Sequence, residues 1–395
     1  MAQNIIKYIA YFDTQDSDVK RNFVTSASNK LEYIAKSIAS LGKKVEIISM
    51  SQVQEQEFRL YKAEKKQIAK GVSLKLFLSW GCTNGILKKI RILWQLLTMF
   101  FYLLLHCGKK DVIIVYHSLG YFDIIRWAKK LKRFKLILEV EEIYSDVSQM
   151  SPYWRNLEFK MFGIADAFIF SNDFLDAKIN VKNKQSTVIY GTYQVEPKRV
   201  EKFNDGKIHV VYAGTFDSNK GGAQTAILAT EFLPENYHIH ICGFGTPRDI
   251  DNVKILIKDY QQKSKATITY DGFKKGLDFI DFLQSCHIGL STQKPEGDYN
   301  NTSFPSKILT YMANGLAVVS IRIPVLEKTA ITDAIAFYDE PLGPSLAMAI
   351  QQVLLVDNRK LVNKLNDKFI DNIKLILDNK NEIIQYRHCG CNDFL

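Results

Sequence analysis

Asn300-Asn301-Thr302-Ser303-Phe304-Pro305-Ser306-Lys307-Ile308-Leu309-Thr310-Tyr311-Met312-Ala313-Asn314-Gly315 opens as a polar loop, becomes amphipathic after Pro305 and stops at a glycine. The pattern predicts a helix from about Ser306 to Asn314 and then an apolar strand, Leu316 to Ile321. Proline suits the first turn of a helix, where no backbone donor is lost. Glycine suits the left-handed position that follows one. Hydroxyls, amides and Lys307 therefore converge on a helix start, where unpaired N–H groups and partial positive charge favour a phosphorylated ligand. An ordinary loop-helix-strand unit of an α/β domain explains this stretch, taken alone, equally well.

A second segment breaks the tie. Val210-Val211-Tyr212-Ala213-Gly214-Thr215-Phe216-Asp217-Ser218-Asn219-Lys220-Gly221-Gly222 reads as a buried strand, a glycine-punctuated loop and the start of a helix, Ala223 to Thr230. Glycines there let backbone N–H groups approach a diphosphate, and Lys220 can neutralise it. His238 to Gly245 is a further strand ending in Gly243-Phe244-Gly245. Ala266 to Phe273 gives one ending at Gly272-Phe273, and His287 to Leu290 gives one ending in Ser291-Thr292. Small or hydroxyl residues thus stand at each strand's carboxyl end, where open α/β sheets bind ligands.

These five motifs, in this order, resemble the donor half of retaining GT-B glycosyltransferases, most nearly the family 4 group that builds bacterial polysaccharides. The resemblance is good over about residues 205–340 and weaker over the first 190. It implies an α/β fold of two doubly wound Rossmann-like domains facing a cleft. Residues 1–190 would bind acceptor, 205–375 would bind the nucleotide-sugar donor, and 376–395 would hold a crossing helix (Asp378 to Arg387) and a tail. In the donor half it implicates Gly214, Thr215, Gly243, Phe244, Gly245, Gly272, Phe273, Ser291, Thr302, Ser303, Phe304, Ser306 and Thr310, with Lys220 and Lys307 on the diphosphate. In the first half His117, ending a strand, would touch the donor sugar, while Glu139, Glu141, Glu142 and Arg21 would face the acceptor. Glu296 and Asp298 are further sugar contacts to consider.

The chain also departs from the family's pattern. The two Glu separated by seven residues that the family often carries align with Thr302 and Thr310, and neither can supply a carboxylate. An Arg often found after the first loop glycine is Thr215 here, and the first strand lacks the usual Gly-Gly loop. The implied chemistry is retaining transfer of a hexose from a nucleotide sugar, taken as UDP-linked, to a lipid-linked oligosaccharide in cell-surface polysaccharide synthesis such as capsule or O-antigen. No cofactor and no metal are expected, since Asp249-x-Asp251 reads as a helix start. A catalytically silent GT-B partner subunit and a nucleotide-sugar epimerase remain as alternatives.

A chain of 395 residues suits two domains. Its six cysteines lack a disulfide framework, and Cys389-x-Cys391 has no second pair to complete a zinc site. The start of the sequence lacks a basic segment followed by a long apolar core, so a reduced, cytoplasmic chain is expected. Residues 1–190 hold 29 Lys+Arg against 18 Asp+Glu, a net of +11, leaving 23 against 24 for the remainder. Without a nucleic-acid recognition motif, an anionic membrane surface is the expected partner. Ile92 to Leu105 is apolar except for Gln95 and Thr98, and has Lys88, Lys89 and Arg91 before it. It is too short to span, which leaves a helix lying in the headgroup region or a core helix. Peripheral attachment to the inner face of the cell membrane is the expectation.

Overall fold

The computed structural model describes residues 5–14, 16–148, 150–216, 221–293 and 304–378. Short unbroken apolar runs such as Ile113 to Val115 and Ala167–Phe170 are what strands covered on both faces require. They assemble into an eight-stranded sheet, in the order Gln185–Val188, Ala167–Phe170, Lys135–Val140, Val112–Tyr116, Ile5–Ala10, Lys44–Ser49, Val72–Leu76 and Glu64–Ala69. Neighbours are parallel except for the last strand, which is antiparallel to Val72–Leu76. A second, six-stranded sheet is wholly parallel, in the order Thr267–Gly272, Tyr237–Phe244, Ile208–Thr215, Ile288–Ser291, Ala317–Ile321 and Ile335–Tyr338. These are the two doubly wound α/β units implied by the sequence.

In each sheet the first strand of the unit lies inside, so the strand order reverses beside it. That reversal opens a crevice at the carboxyl ends, where such sheets bind ligands. For the second sheet the crevice lies between Ile208–Thr215, which ends at Gly214 and Thr215, and Ile288–Ser291, which runs into Thr292.

The helix Lys307–Ala313 begins after Pro305 and ends before Gly315, whose φ of 76° is left-handed. Its ring Tyr311 lies on Gly289, where an added Cβ would come within 2.2 Å of the ring. The Tyr311 hydroxyl accepts from Ala213 N at 2.9 Å and reaches the Leu290 carbonyl at 3.3 Å. One buried phenol thereby fastens this helix to two adjacent strands.

The long helix Arg359–Leu377 returns to the first unit. Phe369 is buried and stacks on Tyr33 at 6.3 Å, Tyr193 meets Phe369 edge-on at 6.5 Å, and Lys43 pairs with Asp378 at 2.8 Å. A return contact is thus already made by this helix. Apart from Asp378, the stretch Asp378 to Arg387 lies outside the described residues. Tyr190 supplies the other join, stacking on Phe304 at 5.1 Å and accepting from Ala330 N at 2.9 Å. Buried side chains of both units and of this helix form one continuous apolar cluster.

Two substitutions test these joins by thermal and urea unfolding. Gly289→Ala forces the Tyr311 ring off the sheet and is expected to cost about 1–3 kcal/mol. Phe369→Ala empties the seam and is expected to cost about 3–5 kcal/mol.

Candidate functional site

Lys307 is the first residue of its helix, and its chain folds back over the strand end. The ammonium lies 4.6 Å from the centre of the Tyr212 ring and would be 3.0 Å from a Cβ placed on Gly214. A cation therefore stands at the glycine loop, where a diphosphate would need one. Close backbone packing shapes the same place. A Cβ on Gly243 would meet the Gly214 carbonyl oxygen at 1.9 Å, and one on Gly222 would meet the Thr292 carbonyl oxygen at 2.3 Å. Gly221, with φ of 65°, starts the helix Gly222–Ala229, and Thr292 Oγ1 donates to Gly222 O at 2.7 Å. Only glycine fits these contacts, so the loop can be lined by main chain.

Phe244 and Phe273 end neighbouring strands, are both exposed, and meet edge to face at 5.0 Å. Exposed rings beside Gly243, Gly245 and Gly272 offer an apolar wall to a flat base. Thr215 is exposed at the strand end, as are Ser306 and, partly, Thr310. The Thr310 hydroxyl lies 3.4 Å from the Ser306 carbonyl, a back-bond along the helix. Phe304 packs on Tyr190 rather than facing a ligand. Ser291 is 1% exposed, so its hydroxyl is shut inside the sheet. Asp249 caps the helix Pro247–Lys263 in a capping box with Thr246, as the helix-start reading requires. Lys220, Glu296, Asp298, Thr302 and Ser303 lie outside the described residues.

In the first unit three expected contacts are placed differently. His117 is 1% exposed, sandwiched by Tyr144 at 4.6 Å and Phe162 at 5.1 Å. Burial pushes its pKa down to about 4, and Glu158 Oε1 stands 3.5 Å from Nε2. The strand does end there, but Tyr144 closes over the ring, so the side chain faces inward and not toward a sugar. Arg21 is likewise buried, its Nε 3.2 Å from Asp13 Oδ2, with no face toward an acceptor. Glu139 is buried too, accepting from the Tyr8 hydroxyl at 2.5 Å.

The acidic group is nevertheless assembled. Glu141 accepts from the buried ammonium of Lys30 at 2.7 Å, and Glu141 and Glu142 are partly exposed. Burial first, and the Glu141 charge second, raise the Glu139 pKa above the ordinary carboxylate value against the opposing pull of Lys30. The same two causes raise Glu142 and the neighbouring Tyr116 hydroxyl. Such a cluster can hold a proton and present hydroxyl and carboxylate groups to a polyol. Tyr8 and Tyr212 were not singled out from sequence. A tyrosine or lysine inside an apolar run gives no sign of pointing at a distant carboxylate.

No protein-family model and no curated protein matches the chain. Solved structures do match it in fold. A glycosyltransferase from Rickettsia africae ESF-5 superposes with TM-score 0.61 at 12% identity, covering 98% of this chain and 100% of that one. Apo OtsA gives 0.60 at 11% identity, covering 95% and 99%. Sucrose-phosphate synthase from Thermosynechococcus elongatus gives 0.58 at 13%, covering 95% of each. At these identities the likeness establishes the fold, which is GT-B.

The buried carboxyl predicts a pH dependence of stability. A raised pKa means that the folded state keeps the Glu139 proton after the unfolded chain has lost it. Its contribution is complete below the ordinary carboxylate value and is lost as pH rises through the folded pKa. Glu139→Gln, which keeps the neutral hydrogen-bonded shape, should flatten that part of the curve, measured as urea midpoints from pH 4 upward. An unchanged slope would show that Glu139 is ionised in the fold.

Proposed function

We propose that the chain transfers a hexosyl group, with retention, from a nucleotide sugar to a lipid-linked oligosaccharide at the inner face of a membrane, as family 4 transferases of polysaccharide assembly do. The solved structures of similar fold are named as sugar transferases, one as a UDP-forming trehalose-phosphate synthase in complex with glucose-6-phosphate. Lys307 beside Gly214 supports the donor site, because the departing diphosphate gathers negative charge as the glycosidic bond breaks. Preorganised cations and backbone donors aimed at such charge supply the greater part of the rate enhancement in many enzymes. In this scheme C1 leaves the phosphate oxygen, the acceptor oxygen bonds to C1 on the same face, and the acceptor proton passes to the released phosphate. UDP is the donor base proposed, against the wall formed by Phe244 and Phe273. Glu141, Glu142 and Tyr116 are the groups proposed to orient acceptor hydroxyls.

The observation that carries the acceptor half of this proposal is the helix Gly85–His106. Its buried residues are Arg91, Gln95, Met99 and Leu103, a stripe at four-residue spacing, half of it polar. Arg91 is fixed there by donating to the Val53 and Trp80 carbonyls, each at 2.7 Å. The apolar side is turned outward, with Leu93 and Phe101 each 56% exposed and Ile86, Ile90, Trp94 and Leu97 beside them in exposure. Exposed Trp127 and Leu131 lie on the neighbouring helix Phe122–Lys132, with Arg126 and Lys130 over the Trp127 ring. A core helix would bury Trp94 and Phe101. Aromatic and aliphatic residues facing out among lysines and arginines suit the headgroup region of an anionic bilayer. Among the described residues no helix is long and apolar enough to cross a membrane.

Two experiments test the two halves. Lys307→Ala should lower kcat/KM for donor turnover, read as nucleoside diphosphate release, by tenfold or more, which is about 1.4 kcal/mol. Its thermal midpoint should stay near that of the wild type, and normal turnover would remove Lys307 from the site. No release with any nucleotide sugar would favour the silent partner subunit, a reading that the missing carboxylates at Thr302 and Thr310 invite. Binding to vesicles of anionic lipid should weaken as salt rises. It should weaken further in Trp94→Ser, Phe101→Ser with the thermal midpoint kept, since both side chains are exposed. Wild-type protein that ignores such vesicles at low salt would point to a soluble acceptor.

A further inference from the structure

Four of the chain's seven histidines, His209, His238, His240 and His287, gather around the second sheet, away from the Gly214 loop. His209 and His238 are register partners on adjacent parallel strands, and His240 follows two residues on, so all three project from one face. One ring nitrogen from each of these three lies within 4.8 Å of the others. We propose that His209, His238 and His240 form a binding site for one divalent transition-metal ion of the zinc class.

Hydrogen bonding around the rings supports this. His209 Nε2 lies 2.9 Å from Asp205 Oδ1, and His240 Nδ1 lies 3.0 Å from Asp271 Oδ2. Each of the two imidazoles thus gives its outer N–H to a carboxylate. Their remaining nitrogens, His209 Nδ1 and His240 Nε2, point at each other 2.8 Å apart. Two neutral rings carry two protons for these three contacts, so the central pair of lone pairs is left without one. A cation between them resolves that shortage. Metal-bound histidines almost always donate their other N–H to a carboxylate or carbonyl in this way. His238 Nε2 lies 3.0 Å from Thr269 Oγ1, and that hydroxyl donates to Asp271 Oδ2 at 2.9 Å, so the outer shell is shared. Phe203 covers the His209 ring at 4.2 Å and Phe282 meets His240 edge-on at 5.3 Å, giving the site dry walls.

Imidazole sets suit zinc, copper and nickel, and three of them leave a fourth position for water. Bonds of about 2.0–2.1 Å in tetrahedral array need nitrogens about 3.3 Å apart, so the central pair opens by roughly half an ångström and the His238 ring turns inward. The ion would tie two adjacent strands together through one face, with Asp271 of a third strand holding the His240 ring. Asp271 also directly precedes Gly272-Phe273, so loading would stiffen the turn that carries one wall of the proposed base site. That last consequence rests on the transferase reading, whereas metal binding does not.

The test uses full-length protein, stripped with chelator, carrying Cys389→Ser and Cys391→Ser so that tail thiols do not compete. Titration with Co²⁺ should give the visible bands of a tetrahedral ion at one equivalent, and Zn²⁺ should displace it and raise the thermal midpoint. His238 is partly exposed, so His238→Ala should keep the fold of the metal-free chain and lose both responses. Asp271→Asn should bind 10–100-fold more weakly. Absence of Co²⁺ bands at hundred-micromolar metal, or equal affinity in His238→Ala and its parent, would overturn the site.

Discussion

The Tyr311 ring packed on Gly289 is the contact on which the crevice of the second sheet depends. Any side chain at position 289 would lift the helix Lys307–Ala313 from the sheet. With the ring seated, its hydroxyl satisfies main-chain groups of two strands at the point where the sheet's order reverses. A lysine four residues earlier in the same helix then has one direction to go, back over Gly214. The ammonium comes to rest over the Tyr212 ring beside Gly214, its backbone anchored by the seated phenol. A buried phenol with its hydroxyl bonded is stiffer than a surface salt bridge, which is worth little and rearranges freely.

The seam between the units uses the same kind of material. Tyr33, Tyr193 and Phe369 fill one part and Tyr190 with Phe304 another, so apolar burial continues from one sheet to the other. Because Tyr33, Tyr193 and Phe369 come from the first helix of the chain, the connecting segment and the last described helix, opening the units would expose all three at once. Phe304 is noteworthy here. Its sequence context marked it for the donor site, yet it packs on Tyr190 and links the loop before Lys307 to the segment between the units.

Much of the fold was legible because buried parallel strands write themselves as unbroken apolar runs. The strands of the second unit from Ile208 to Ile321 fall within about two residues of where the sequence puts them. What was missed includes edge strands and Val72–Leu76 beside one. Glu64–Ala69 and Gln185–Val188 are charged or polar strands, stabilised by pairing rather than by their own pattern. Ile335–Tyr338 is short and follows no clear turn signal. At the site, strand ends were readable but side-chain direction was not. His117, Ser291 and Arg21 all stand at strand or loop ends, yet each side chain is buried, His117 because Tyr144 and Phe162 close over it. The histidine group carried a partial signal, His238-x-His240 on one face of a strand. Its third member needed the register of His209, which only the assembled sheet supplies.

The helix Gly85–His106 shows why an apolar count cannot decide between core and surface. Nearly every turn carries apolar residues on all sides, so the sequence permits either face to be inward. The choice falls to the polar pair. Arg91 Nη1 donates to the Val53 and Trp80 carbonyls, so these two buried acceptors and the charged group that reaches them go inside together. Asn84 fixes the helix start by accepting from Ile86 N and Leu87 N, which sets the rotation of everything after it. Once Arg91 is inside, the four-residue spacing carries Gln95, Met99 and Leu103 inward with it, and Leu93 and Phe101 have to face out. Two hydrogen bonds from one charged side chain therefore turn a hydrophobic face toward solvent. That outward face is what supports the proposed contact with an anionic surface, which the basic surplus of the first 190 residues would favour.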